Sequence, residues 1–298
     1  MGGCKKKGNL LRPHKKRKHP KILKMKTISF TKMVGAGNDF IVMDAPLKFN
    51  LKKLAIAVCD RTNGIGADGL LIFDKSKKAD YKMRIINADG SEAEMCGNGA
   101  RCMAVYIAQN KKPTKKLFTL ETLAGKILCE EKQEIAQIRL SDPKDYKENI
   151  SLTIHNKKLN VSFINTGVPH AVIYVDNLNK INIRELGRII RYHKAFAPKG
   201  TNVNFVEQIN DKLIANRTYE RGVEDETKAC GTGSVACAII TYLKLNPEMT
   251  NKKNATMNVK TKSGEILKIS FDLINEKIKN VWLKGSAKII AKGDYNYV

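Results

Sequence analysis

The sequence predicts an α+β fold of two pseudo-symmetric lobes, each wrapping mostly antiparallel strands around one central α-helix. Three observations predict it. Cys96 and Cys230 stand 134 positions apart in near-identical frames, Met95-Cys-Gly-Asn-Gly99 and Ala229-Cys-Gly-Thr-Gly233. Each frame opens a segment, 102–108 and 235–243, that is apolar on all faces, and a helix of that kind must be enclosed by other structure. Around both segments the chain alternates short β-branched runs with Gly-containing turns, the pattern of antiparallel sheet.

Taken in order, residues 1–24 hold ten Lys or Arg and no acidic residue, lack any periodicity and are expected to be disordered. The opening Met-Gly-Gly-Cys4 has the look of a lipidation signal, but Lys6 occupies the position where that motif requires Ser or Thr. Strand patterns follow at 26–33, 40–44, 69–73, 82–87, 118–122 and 126–130, with a leading helix near 51–60. The second half repeats the habit at 158–165, 170–175, 202–208, 213–219, 256–261, 266–271 and 280–284, with its leading helix near 183–193. These elements divide the chain into a basic extension (1–24), a first lobe (25–143) and a second lobe (144–285), with a last strand (286–298) returning to the first lobe.

At 298 residues and 42% apolar content the chain is large enough for two cores. No apolar run is long enough to span a bilayer, and the N-terminus lacks the h-region of a secretory signal, so a cytoplasmic protein without a membrane partner is expected. Seven cysteines at irregular spacings, with no Cys-x-x-Cys pair, indicate neither a disulfide framework nor a metal site. Cys59, Cys102, Cys129 and Cys237 read as small buried hydrophobes. The net charge of +25 invites a nucleic-acid partner, yet the extension supplies ten of those charges. The remaining lysines fall in scattered pairs without interleaved aromatics, so a solvated basic surface is expected rather than a nucleic-acid groove.

The chemistry resides in the repeated cysteine. A cysteine just before a helix start meets unpaired backbone N–H groups and the positive end of the dipole, which lower its pKa. Two such sites related by duplication suggest thiols facing one substrate from opposite sides, a geometry suited to moving a proton on and off a carbon. The glycines Gly97, Gly99, Gly231 and Gly233 let a ligand carboxylate approach the bare N–H groups closely, where growing negative charge is stabilised. The scheme requires no cofactor, and no phosphate-binding loop is found to hold pyridoxal phosphate.

From about Met25 onward the chain resembles the diaminopimelate epimerase family. The resemblance is carried by Gly35-Ala-Gly-Asn-Asp-Phe40, Asn87-Ala-Asp-Gly-Ser91, Met95-Cys-Gly-Asn-Gly-Ala-Arg101, Tyr219-Glu-Arg-Gly222 and Thr227-Lys-Ala-Cys-Gly-Thr-Gly233, in the family's order. It implies two lobes, each a β-barrel-like sheet rolled around a central helix. It also implies conversion of LL-diaminopimelate to the meso form, for lysine and peptidoglycan synthesis, without a cofactor or metal. Carried over by position, Cys96 and Cys230 are the acid–base pair, and His170 and Glu220 tune the thiols or hold the reacting amine. The backbone of Gly97-Asn98 and Gly231-Thr232 would cradle the carboxylate, while Asn38, Asn87, Asn202, Glu220 and Arg221 match other ligand-binding positions. Arg221 suits the distal carboxylate because its planar fork binds bidentately. A homodimer is left open.

Three departures stand out. Val168 occupies the position of a family asparagine two residues before His170, Gly69 replaces a frequent Gln, and Glu224-Asp225-Glu226 makes the loop before Cys230 one residue longer. Proline and hydroxyproline racemases resemble this family in using two thiols, but typically carry His where this chain has Asn98 and lack Tyr-Glu-Arg-Gly. A related isomerase group lacks the thiols.

Overall fold

The computed structural model describes residues 26–45 and 48–297, along with Met1. The disorder expected of 1–24 therefore falls outside the described residues. The first half runs β1 (Lys26–Gly35), β2 (Asn38–Asp44), α1 (Leu51–Cys59), β3 (Gly69–Asp74), β4 (Tyr81–Asn87), β5 (Glu92–Ala93), α2 (Gly97–Lys111), β6 (Leu117–Thr122), β7 (Gly125–Lys132), β8 (Ile135–Arg139) and β9 (Lys144–Ile154). The second half repeats that order as β10 (Lys157–Asn165), β11 (Pro169–Tyr174), α3 (Ile183–Arg191), β12 (Asn202–Asn210), β13 (Leu213–Glu220), β14 (Asp225–Thr227), α4 (Gly231–Leu245), β15 (Lys252–Lys260), β16 (Ile266–Ile274), β17 (Lys277–Ser286) and β18 (Lys288–Tyr297).

The pairings repeat with the order. In the first half β1–β2 is antiparallel, β2–β3 parallel across α1, β3–β4 antiparallel, β4–β6 parallel, and β6–β7–β8 antiparallel. The second half shows the same sequence of pairings through β10–β11, β11–β12, β12–β13, β13–β15 and β15–β16–β17. The halves join where β8 pairs antiparallel with β17, placing Leu283 opposite Ile138. Their last strands cross over: β9 pairs with β10, and β18 pairs with β1.

Within each half the strands curl around one helix, α2 or α4, and a second helix packs on the outside. Side-chain alternation makes this two-layered burial possible. In β2, Phe40 and Val42 join the core around α2, whereas Ile41 and Met43 face outward onto Leu54 and Val58 of α1. In β12, Val206 faces α4, whereas Val203 and Phe205 face the core shared with α3. Strands covered on both faces read as continuous apolar runs, which is why these segments are so legible in the sequence.

Four strands lie outside the sequence expectation. The short β5 and β14 exist only through pairing with β4 and β13. β8 is held between β7 and β17, and β9 (KDYKENISLTI) is so charged that only its pairing with β10 makes it a strand.

Candidate active site

Both central helices begin at cysteine. Cys96 caps α2 with φ −141° and ψ 118°, and its sulfur accepts the Gly99 N–H at 3.4 Å, so a thiol takes the place of the usual hydroxyl or carboxylate cap. Cys230 caps α4 with φ −116° and ψ 110° and makes no such bond; its sulfur lies 3.5 Å from the Thr232 hydroxyl. Each start leaves N–H groups of the first turn without an intrahelical partner, those of Gly97 and Asn98 on one side and Gly231 and Thr232 on the other.

The two starts meet over one side chain. A Cβ added to Gly97 would lie 3.3 Å from Leu283 Cδ2, and one added to Gly231 would lie 3.1 Å from the same atom, so both starts press on that one leucine. The Asn98 amide oxygen lies 3.9 Å from the Cβ position of Gly231, which brings the first frame within reach of the second. The charge of the Glu220 carboxylate, at the end of β13, pushes up the pKa of both thiols.

Both thiols lie above the ordinary range, not below it as the helix starts alone imply. For Cys96, burial dominates, opposed by the N–H groups of Gly99 and Asn98. For Cys230, burial again dominates and Glu220 adds to the rise, opposed by the Thr232 hydroxyl and the Gly233 N–H. Desolvation of a charged sulfur outweighs a few backbone dipoles. Glu220 is itself raised by burial, partly offset by the Thr227 hydroxyl.

Around Cys230 the expected residues assemble. His170 is fully buried in β11, with Nε2 3.1 Å from Thr232 Oγ1 and Nδ1 3.1 Å from the Asn204 amide nitrogen. Burial and the nearby Arg221 charge push its pKa down to about 3, so the ring is neutral. Asn202 pairs with His170 across the β11–β12 ladder; its amide donates to the Pro169 carbonyl at 3.0 Å and accepts the Arg221 N–H at 2.8 Å, fixing the start of the Arg221 loop.

Around Cys96 two amides stand nearest. Asn98 is buried and donates to Asn38 Oδ1 at 2.6 Å, and Asn38 donates in turn to Asp68 at 2.9 Å. Asn87 stands opposite Gly69 at the same end of the sheet but is exposed, and its amide is spent on the Ser91 hydroxyl at 3.0 Å. It bonds to no other expected site residue. At the Val168 departure the Thr166 hydroxyl is spent on the Thr232 carbonyl at 2.9 Å, while Asn165 accepts the Gly167 N–H at 3.1 Å through its amide oxygen alone. At the Gly69 departure a Cβ would come within 3.1 Å of the Ile86 carbonyl, so the ladder leaves little room for a side chain there.

Two residues carried no expected role. Arg101 is fully buried in α2 and donates to Asn98 Oδ1 at 3.0 Å, while its Nε has no partner. Asn204 is fully buried beneath His170. The signal for each was a polar residue inside an otherwise apolar run, Ala100-Arg-Cys-Met103 and Val203-Asn-Phe-Val206. Among the described residues no group of three or more His, Cys, Asp or Glu is placed to hold a metal ion, and no helix is long and apolar enough to cross a membrane.

The fold is one shared with known enzymes of the racemase and isomerase type. A PhzF-family phenazine biosynthesis protein from Bacillus anthracis superposes with a TM-score of 0.68 at 17% identity, covering 91% of this chain and 99% of that one. A hydroxyproline epimerase from Agrobacterium vitis gives 0.65 at 13%, covering 91% and 92%. At such identities the likeness concerns the fold alone.

The sequence narrows the class. The diaminopimelate epimerase family model matches residues 30–143 and 162–290, and the chain belongs to that family. It is 43% identical to the diaminopimelate epimerase of Aquifex aeolicus, over 89% of this chain and 97% of the relative. It is 40% identical to that of Chlorobaculum tepidum, over 88% and 98%.

Proposed function

We propose that the protein interconverts LL- and meso-diaminopimelate by proton transfer between Cys96, Cys230 and the α-carbon. The observation that carries this reading is the meeting of two cysteine-capped helix starts over Leu283. The α-carboxylate would accept the N–H groups of Gly97, Asn98, Gly231 and Thr232, where negative charge growing in the carbanion is stabilised by both helix ends. One cysteine, as thiolate, takes the α-proton and becomes a thiol; the opposite thiol gives its proton to the other face and becomes the thiolate. Roles exchange in the reverse direction.

Both thiols are held protonated by burial, so ionisation depends on the ligand. The substrate α-ammonium brings positive charge beside the sulfurs and beside Glu220, and opposite charge favours the ionised form. Glu220 would hold that ammonium, Arg221 the distal carboxylate, and Asn38, Asn87 and Asn202 the remaining polar groups. The reducing environment of the cytoplasm suits the six described cysteines, all of which are free.

Proton NMR of LL-diaminopimelate in deuterated water with the purified protein and no added cofactor tests the reading. Wash-out of the α-proton signal together with appearance of the meso form is expected. An α-proton that persists at stoichiometric enzyme would overturn it.

A further inference from the structure

A chain of buried hydrogen bonds leads from β12 to the second sulfur, and its direction can be deduced. The Asn204 amide nitrogen lies 3.0 Å from the Ala171 carbonyl, which can only accept, so this atom is the donor end of the amide. Its oxygen then accepts the Thr218 hydroxyl at 2.9 Å, a group that adapts to either end of an amide. The same nitrogen sits 3.1 Å from His170 Nδ1, and two donors cannot face each other there, so Nδ1 accepts and the neutral ring carries its hydrogen on Nε2. Nε2–H then donates to Thr232 Oγ1 at 3.1 Å. The single hydroxyl hydrogen of Thr232 is left for another acceptor, and Cys230 Sγ lies 3.5 Å away.

We infer that Asn204 is a positioning residue for the epimerisation proposed above: it fixes the His170 tautomer so that the Thr232 hydroxyl points its hydrogen at Cys230, stabilising the thiolate there. The site is built around this amide. A Cβ on Gly233 would run into the Asn204 oxygen, so the glycine of the second cysteine frame makes room for it. Cys96 has no such hydroxyl, and its sulfur accepts only backbone N–H groups.

The test combines spectroscopy with a mutant cycle. A long-range ¹⁵N–¹H spectrum of the full chain labelled at histidine should show His170 protonated on Nε2; protonation on Nδ1 overturns the inference, and this readout needs neither substrate nor a variant that folds. In turnover of LL-diaminopimelate, Asn204→Leu and Thr232→Val should each lower kcat roughly ten- to a hundredfold with little change in KM, the order of one hydrogen bond lost at an ionising group. Thr232→Ser should restore most of the loss. The double variant should be no slower than the slower single one, whereas losses that multiply would show that Asn204 acts by some other route. Absence of any turnover by the native chain would strike the functional reading instead, leaving the tautomer to stand or fall by its spectrum.

Discussion

The two helix starts share a frame, a helix of 15 residues and one leucine between them, yet they treat their sulfurs differently. In the first half Cys96 is half-buried, capped by a backbone N–H and surrounded by the neutral amides Asn98 and Asn38. In the second half Cys230 is 6% exposed, bonded to a hydroxyl and backed by a histidine, with Glu220 and Arg221 on the adjoining loop. The strand registers make the divergence explicit. Phe40 opens the parallel ladder of the first half opposite Gly69, and His170 opens that of the second opposite Asn202. Two residues earlier stand Asn38 and Val168, so an amide present in one half is absent from the other. The two halves share the backbone that places the thiols, while the side chains around them differ: amides backed by Arg101 and Asp68 in the first, a hydroxyl backed by His170 in the second.

The largest expected effect would treat the halves alike. Cys96→Ala and Cys230→Ala should each cost at least about a thousandfold in turnover, since each removes one partner of an obligatory acid–base pair. Circular dichroism and melting temperature should show both variants folded. Near-full turnover in either would break the equivalence of the halves outright.

Next in size is the contrast between Arg221 and Asn38. Arg221→Ala should lower kcat/KM for diaminopimelate by about a hundredfold and reduce the preference for it over shorter amino acids, because a fork that binds a carboxylate bidentately is lost. Asn38→Ala should cost less, since the Asn38 amide already bonds to Asp68 and Asn98. Steady-state kinetics on both substrates checks the ranking.

A smaller effect distinguishes the two inner glycines. Gly233→Ala would force its new methyl into the Asn204 amide and should destabilise by about 1–3 kcal/mol. Gly99→Ala would meet the tip of Leu71 at 3.1 Å and the Cys96 sulfur at 3.7 Å, a side chain that can shift, and should cost under about 1 kcal/mol. Urea unfolding of the two variants measures the difference.

A last comparison concerns pH, which acts on the second half alone. The His170 pKa falls from 6.5 to about 3 on folding, so between those values the unfolded chain binds more protons. Stability from this group is complete above about 6.5 and is lost as the pH falls towards 3. The melting temperature should therefore decline more gently on acidification in His170→Gln than in the native chain, and equal slopes would show that the second half's histidine is not buried as described.

Much of this was legible before the structure. The apolar segments after Cys96 and Cys230 required enclosure, and each is the inner helix of its half. Strands such as β3 and β12 were legible because burial on both faces leaves an unbroken apolar run. β9 was not, since charged residues on an outlying strand carry no alternation to detect. Thiol acidity is illegible for a related reason: a helix start can be recognised from sequence, whereas the desolvation that outweighs it depends on packing that sequence does not display. Asn204 was hidden in the same way, because a lone asparagine among valines and phenylalanine acquires meaning only when His170 is found against it.

The crossing of β9 and β18 makes each half the custodian of the other's final edge. A gene truncated after β9 would encode a piece whose last strand has lost its neighbour and whose first strand lies open, so it could complete its ladder only by borrowing from a second identical piece. Reciprocal lending of this kind lets two copies of one such piece build a symmetric pair, and a fused chain that inherits the arrangement cannot be divided into independent folding units at its midpoint.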